Sequence, residues 1–279
     1  YWLGRGEGQR LGGVAAHFYN EFDGTGVDAG RLENAVRRLL ERHAMLRCRV
    51  VDDASMQVLP EESWPGLRVH DLRHLSADEA SQALDALRAR LSHRHLDVAS
   101  GEVFDVQLSL LPDVLRRNGT RLHVNLDMIA ADALSLRVLL GDLARFYASS
   151  DVAAPPIGYS YPRYLADRMR QAQTSDRLDA ARADSAYWRE RLPDMPSAPQ
   201  LPAAAFDTRL DASRVVRRHR WLAPERLRAF EANARSHGLT TAMALAAVFA
   251  ETLTAWSAEP RFLLNLPVFD REPLHPDTA

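Results

Sequence analysis

Leu122–Leu140, LHVNLDMIAADALSLRVLL, changes its periodicity half-way along. Up to Leu126 it alternates, with Leu122, Val124 and Leu126 on one side and His123 and Asn125 on the other, as a strand does. Beyond Asp127 the apolar residues Leu136, Leu139, Leu140 and Leu143 recur at helical spacing. The chain therefore turns from strand to helix between Asp127 and Asp132. One acid stands at the strand end and a second at the helix start. Such a corner can hold a side chain at the wall of a cleft while both flanking elements stay packed. The residues leave a second reading open. Asp132 can act as an N-cap, accepting the Ser135 amide and gaining from the helix dipole, while Asp127 alone reads as a strand-terminating acid.

Working outward, Val103–Leu111 and Arg121–Leu126 read as strands joined by a polar turn at Arg116–Thr120, a hairpin feeding the corner. Ser76 and Glu79 make a capping box before a helix with Ala80, Leu84, Leu87 and Leu91 on one face, and Leu67–Leu72 before it reads as a strand. Val14–Phe22 alternates as a strand, and Asp28 introduces a helix with Leu32, Val36, Leu39 and Leu40 on its apolar side. Arg42, His43, Leu46 and Arg47 cross the next helix-to-strand junction; His43 suits a helix C-terminus, and Arg47 requires an acceptor if it is buried. This half predicts a mixed sheet with helices on one side. His93 and His95, two apart, make a poor metal pair, and His123, Asp127 and Asp132 lack a partner cluster, so no metal is expected.

The Ser149–Pro156 stretch, rich in Ser, Ala and Pro, reads as a boundary. Beyond it come a charged helix near Asp176–Leu192, a proline-punctuated linker at Pro193–Pro202, a strand at Val215–Leu222 and a helix after Pro224. Next, the apolar helix Thr240–Trp256 is expected to be buried on most sides, and Phe262–Phe269 reads as a central strand. The first residues, Tyr1 and Trp2, are large aromatics without a start methionine and read as a chain cut from something longer.

Composition bounds the function. The 279 residues carry 35 basic and 37 acidic groups for a formal charge of −2, with the basic residues spread along the chain, so nothing points to nucleic acid or an anionic membrane. Every basic residue is arginine, which excludes a lysine nucleophile or Schiff base. The single cysteine, Cys48, excludes an internal disulfide, reads as a buried small hydrophobe and fits a reducing cytoplasm. No apolar run approaches the roughly 18 residues of a membrane helix, and no Gly-rich phosphate loop, HExxH or GxSxG occurs.

Four stretches in order, YWLGR at 1–5, RHAMLR at 42–47, DMIAADALS at 127–135 and LLNLPVFDREPLHPD at 263–277, resemble the motifs of the heterocyclization domain of nonribosomal peptide synthetases. This is the siderophore-synthetase type of the condensation-domain superfamily. Asp127, Asp132 and Ser135 match its DxxxxDxxS pattern, which replaces the HHxxxDG of ordinary condensation domains. On superposition Met128 takes the place of that motif's second histidine, and a thioether cannot accept a proton at neutral pH.

The resemblance implies an α/β (α+β) two-lobed fold similar to chloramphenicol acetyltransferase. Its N-terminal lobe would span residues 1–155, with the corner at the inter-lobe face, and 156–279 would form the first part of the C-terminal lobe. It implies that Asp127, Asp132 and Ser135 are site residues and that Asp132 pairs with Arg47. It further implies that a carrier-bound acyl or aryl donor is condensed with carrier-bound Cys, Ser or Thr and cyclodehydrated to a thiazoline or oxazoline. Both substrates would arrive on phosphopantetheine arms of upstream and downstream peptidyl or aryl carrier domains, with an adenylation domain as a neighbour and no directly bound cofactor. The family's cyclodehydration threonine and aspartate would lie past Ala279. Two other classes stay open: a condensation-type acyltransferase forming only an amide or ester, and a non-catalytic carrier-docking domain.

Overall fold

Strand β6 (Gly119–Asp127) is paired on both edges, antiparallel to β1 (His17–Thr25) on one side and to β5 (Phe104–Leu110) on the other. A fourth strand, β4 (Arg68–Asp71), runs parallel to β5, giving the order β1-β6-β5-β4. The computed structural model describes residues 16–52, 55–149, 155–202, 218, 220–266 and 271–278. The motif at Tyr1–Arg5, Val14 and most of Ser149–Pro156 lie outside them.

The register turns the alternation of β6 into two different faces. Phe18 and Phe104 stand opposite Leu126, and Val106 opposite Val124. This apolar face carries α1 (Ala29–Arg42) and α3 (Ala133–Ala148), whose Leu32, Val36, Leu39 and Leu40, and Leu139, Leu143 and Phe146, close the main core. Burying a side chain of this size contributes about 1.5–3 kcal/mol. Asp28 caps α1 by accepting the Arg31 amide at 2.7 Å, as its position before the apolar stripe predicts. Asp142 of α3 then ties the two helices together, accepting from Arg42 Nε at 2.9 Å, sharing a 2.7 Å hydrogen bond with His43 Nε2 and accepting from Arg145 at 2.7 Å. Arg31 and Arg38 of α1 donate to the Ala148 and Ser149 carbonyls at the C-terminus of α3, where positive charge is favoured.

The other face of the sheet is polar and buried on β5 and β6, half-buried on β1. It presents Tyr19 and Glu21 from β1, His123 and Asn125 from β6, and Asp105, Gln107 and Ser109 from β5. Helix α2 (Ala77–Leu91) covers it: Arg88 meets Glu21 at 2.7 Å, and Asn125 Nδ2 donates to the Leu91 carbonyl at 2.9 Å. Both halves of the Ser76/Glu79 capping box form, and Ala80, Leu84, Leu87 and Leu91 are buried as their spacing predicts. Helices therefore lie on both sides of the sheet, not on one. A polar alternation in β6 marks a face most of whose groups find partners beneath a helix, Asn125 Oδ1 excepted, rather than a face left to water.

Within that face the hydrogen bonds fix a direction. Tyr19 Oη lies 2.7 Å from Glu21 Oε1 and 2.9 Å from His123 Nδ1, and Ser109 Oγ lies 2.9 Å from His123 Nε2. The tyrosine has one proton and the carboxylate has none, so Tyr19 donates to Glu21, His123 Nδ1–H donates to Tyr19, and Ser109 donates to Nε2. Burial pushes the tyrosine hydroxyl well above its ordinary value, with the bond to Glu21 adding to it, and pushes the His123 imidazole down to about 4.

Cys48–Asp52 (β2) and Ser55–Val58 (β3) form a separate hairpin with an irregular register between Val50 and Asp52. The chain divides into two compact units, Tyr1–Tyr161 and Pro162–Ala279. The second contains α4 (Tyr161–Ala172), α5 (Ser175–Arg191), α6 (Pro224–Ser236) and α7 (Thr241–Thr254). Glu272 meets Arg168 of α4 at 3.7 Å and Arg177 of α5 at 2.7 Å. Two expectations fail here, and one helix had none. Helix α4, opened by Tyr161-Pro162, was not anticipated. In α7 only Ala244 is buried and Phe249 is 58% exposed, because the described residues of this unit do not cover its apolar sides. Residues 262–266 form no strand: Leu263 donates to the Ser197 carbonyl at 2.9 Å, but no neighbouring ladder is present among the described residues. Residues 267–269 and half of Val215–Leu222 lie outside the described residues.

The neutral, buried His123 sets a pH dependence. Its folded value of about 4 lies below the ordinary 6.5, so the unfolded chain binds the proton first and stability falls as pH drops from 6.5 toward 4. The loss is roughly 3 kcal/mol for a shift of this size. Glu21, which burial would raise but the hydrogen bonds from Arg88 and Tyr19 hold below its ordinary value, adds a loss only at lower pH. Urea unfolding between pH 7 and 4.5 is expected to show the His123 slope, with a part from His43, which burial also lowers, and His123→Gln is expected to reduce it. An unchanged slope in the variant would reject the assignment.

Candidate active-site corner

The turn from β6 into α3 is held amide by amide. Asp127 N–H donates to the Val103 carbonyl at 2.9 Å, Met128 N–H to the Ala16 carbonyl at 2.9 Å, and Ala130 N–H to the Asp127 carbonyl at 3.1 Å. Asp127 Oδ1 accepts the Ile129 amide at 3.0 Å, and this side chain is within a residue that is only 1% exposed. The carboxylate thus points into its own turn, where an Asx-type contact replaces a backbone partner.

Five residues later Asp132 is the N-cap of α3. Its Oδ1 accepts the Ser135 amide and the Ser135 hydroxyl, both at 2.7 Å. Asp132 and Ser135 are half-buried, so the structure brings these two together at the helix start and sets Asp127 apart, inside the turn. The capping reading of Asp132 therefore describes what its carboxylate does.

Beneath the corner, Ile129 and Ala130 pack with Met45 against a small core of Cys48, Val50, Val98 and Val103. Burial pushes the Cys48 thiol up to about 11, with the charge of Asp127 adding to it, so the cysteine supports the corner as a neutral hydrophobe and supplies no thiolate.

Arg47 does not meet Asp132. It ends a 3₁₀ turn at Ala44–Arg47 and donates to the carbonyls of Leu40, Glu41 (2.7 Å) and Leu59 (3.2 Å). The physical reason is that the end of α1 leaves carbonyls without intrahelical partners, and a guanidinium with five donors satisfies them without a carboxylate. The expected Asp132–Arg47 pair is corrected accordingly: each residue closes a different helix end.

Among the described residues no group of three or more His, Cys, Asp or Glu is arranged to hold a metal ion. Ser109, His123 and Glu21 follow the order of a nucleophile, a base and an acid, but Ser109 is fully buried and the three serve as sheet-face support. Two surface hollows, about 500 and 410 Å³, are lined by residues such as Leu84, Leu111 and Arg116, and Arg38, Arg42 and Phe146; neither includes the corner.

The profile of the Condensation domain matches residues 17–278. The chain belongs to the condensation-domain family. Over 279 residues, 99% of this chain, it is 45% identical to the phenyloxazoline synthase MbtB of Mycolicibacterium paratuberculosis, covering 23% of that protein. Over 271 residues, 97% of this chain, it is 38% identical to the pyochelin synthetase PchE of Pseudomonas aeruginosa, covering 18% of it. Among solved structures, the EpoB cyclization-docking bidomain of a nonribosomal peptide synthetase from Sorangium cellulosum superposes with a TM-score of 0.85 at 30% identity, over all of this chain and 54% of that one. The chain thus spans about a fifth of these curated relatives and about half of the solved chain. The family and the mixed α/β condensation-domain fold expected from the motifs are the ones found.

Because Asp132 caps α3 and does not meet Arg47, Asp132→Ala is expected to cost about 0.5–2 kcal/mol, and Asp132→Asn much less. Urea midpoints of the two variants check this, and a loss of about 3–5 kcal/mol, the size for a broken buried pair, would contradict the capping assignment.

Proposed function

We propose that this chain is the front part of a heterocyclization domain. It acts on an acyl or aryl thioester and a Cys, Ser or Thr, each carried on the phosphopantetheine arm of a carrier domain. The observation that carries the reading is 45% identity along essentially the whole chain to a protein named for oxazoline synthesis, together with the DxxxxDxxS corner. An oxazoline ring contains an oxygen, which favours a hydroxyl acceptor and, with the phenyl of that name, an aryl donor.

The reaction balances without a redox partner. The acceptor amine attacks the donor thioester, the carrier thiol leaves and an amide forms; the acceptor hydroxyl or thiol then attacks the amide carbonyl and water leaves. Holding both tethered reactants together supplies a large effective concentration for the first step. Met128 occupies the place where an ordinary condensation domain has a histidine, so no base acts from that position. Asp127 holds the turn by accepting the Ile129 amide, and Asp132 and Ser135 hold the start of α3. Carrier domains on both sides and an adenylation neighbour in the same cytoplasmic polypeptide complete the assembly, consistent with relatives several times longer than this chain.

Mass spectrometry of the acceptor carrier in the reconstituted synthetase tests the reading. Gain of the acyl group followed by loss of one water is expected; gain without loss would assign an amide-forming transferase, and no gain a docking domain. In the same assay Asp127→Asn, which keeps one acceptor oxygen, is expected to retain both steps, and Asp127→Ala to lose them with the turn. Selective loss of amide formation in Asp127→Asn at unchanged melting temperature would instead make Asp127 a catalytic group.

A further inference from the structure

We propose that Arg94 is a positioning residue for the Asp127–Asp132 corner, acting through the Val103 carbonyl. The step rests on the functional reading above only where turnover is concerned. Arg94 lies in the connection between α2 and β5, between two histidines that show no metal arrangement. Its guanidinium meets two carboxylates at once: Nη1 donates to Asp105 Oδ2 at 2.7 Å, and Nη2 pairs with Glu102. Those two acids flank Val103 in sequence, and the Val103 carbonyl is the acceptor of the Asp127 amide at 2.9 Å.

Each end of this clamp is itself fixed. Asp105 is 7% exposed on β5 and also accepts Gln107 Nε2 at 2.7 Å, whose Oε1 bonds His70 of β4 at 2.8 Å. Glu102 is held by the loop: its Oε2 accepts the Asp97 amide at 3.2 Å, and its own amide donates to the Asp97 carbonyl at 2.9 Å. The same loop places Val98, whose carbonyl accepts the Val50 amide at 2.9 Å, beside Val103 in the small core under Ile129 and Ala130. Arg94 therefore locks the strip that supplies both the backbone acceptor and the apolar bed of the corner. A bidentate guanidinium bridging two carboxylates gives this geometry a directionality that an ammonium lacks.

The test uses Arg94→Gln, with Glu102→Gln as a milder variant that removes one arm, in the synthetase containing this domain. Amide hydrogen exchange in the peptide covering 127–132 is expected to rise about tenfold in Arg94→Gln, with exchange in α1 unchanged. The turnover number for carrier acylation is expected to fall roughly tenfold with KM for the acceptor carrier unchanged, and Arg94→Lys to recover part of it. Exchange that rises uniformly, or stays unchanged in 127–132, would overturn the proposal, as would a loss confined to KM. If the parent synthetase acylates nothing, the functional reading fails, and the exchange measurement still decides whether Arg94 holds the corner.

Discussion

The constraint on which the first unit depends is that β6 is buried on both faces and paired on both edges, while only one of its faces is apolar. Hydrophobic burial against α1 and α3 accounts for one side. On the other, His123, Ser109, Gln107 and Asp105 are buried, with Tyr19 and Glu21 half-buried beside them, and an unpaired polar group out of water costs about 1–3 kcal/mol. The structure meets this by chaining donors to acceptors in one direction and ending each chain on an arginine, Arg88 at Glu21 and Arg94 at Asp105. Both arginines come from α2 or the loop after it, so the helix that covers the polar face also neutralises it.

That arrangement explains how a strand can end in a well-defined turn. The amides of Asp127, Met128, Ile129 and Ala130 each have an acceptor, and those acceptors come from Ala16 just before β1, the loop before β5 and Asp127 itself. A turn whose first four amides are all engaged has little freedom to shift, and α3 starts from it under a cap of its own. The carboxylate that the motif places at the strand end is thereby committed to backbone geometry, and preorganisation of this kind is what a site assembling two tethered substrates requires.

Much of this was legible in the residues, for physical reasons that differ by element. Caps are local: Asp28, Ser76 with Glu79, and Asp132 each announce a helix within four residues, and each forms. Amphipathic spacing likewise located the buried faces of α1 and α2. What was misread depends on partners distant in sequence. An alternating strand does not say whether its polar face meets water or a helix, so the expectation of helices on one side missed the helix that covers the other. Arg47 has no sequence mark that distinguishes a carboxylate partner from three carbonyls. The apolar composition of α7 reports the surroundings that the helix is suited to, not those that the described residues provide.

The same distinction bears on the corner. The pattern of Asp127, Asp132 and Ser135 was visible because side-chain identity is written in the sequence, whereas the carbonyl of Val103 and the bed of Val98 and Cys48 are backbone and packing facts. A motif therefore names the residues whose chemistry is constrained but not the atoms that hold them. Here, the atoms on the holding side include a main-chain oxygen flanked by two acids and one guanidinium, Arg94, from the same connection between α2 and β5. A change of charge at Arg94 acts on the motif without altering any of its letters.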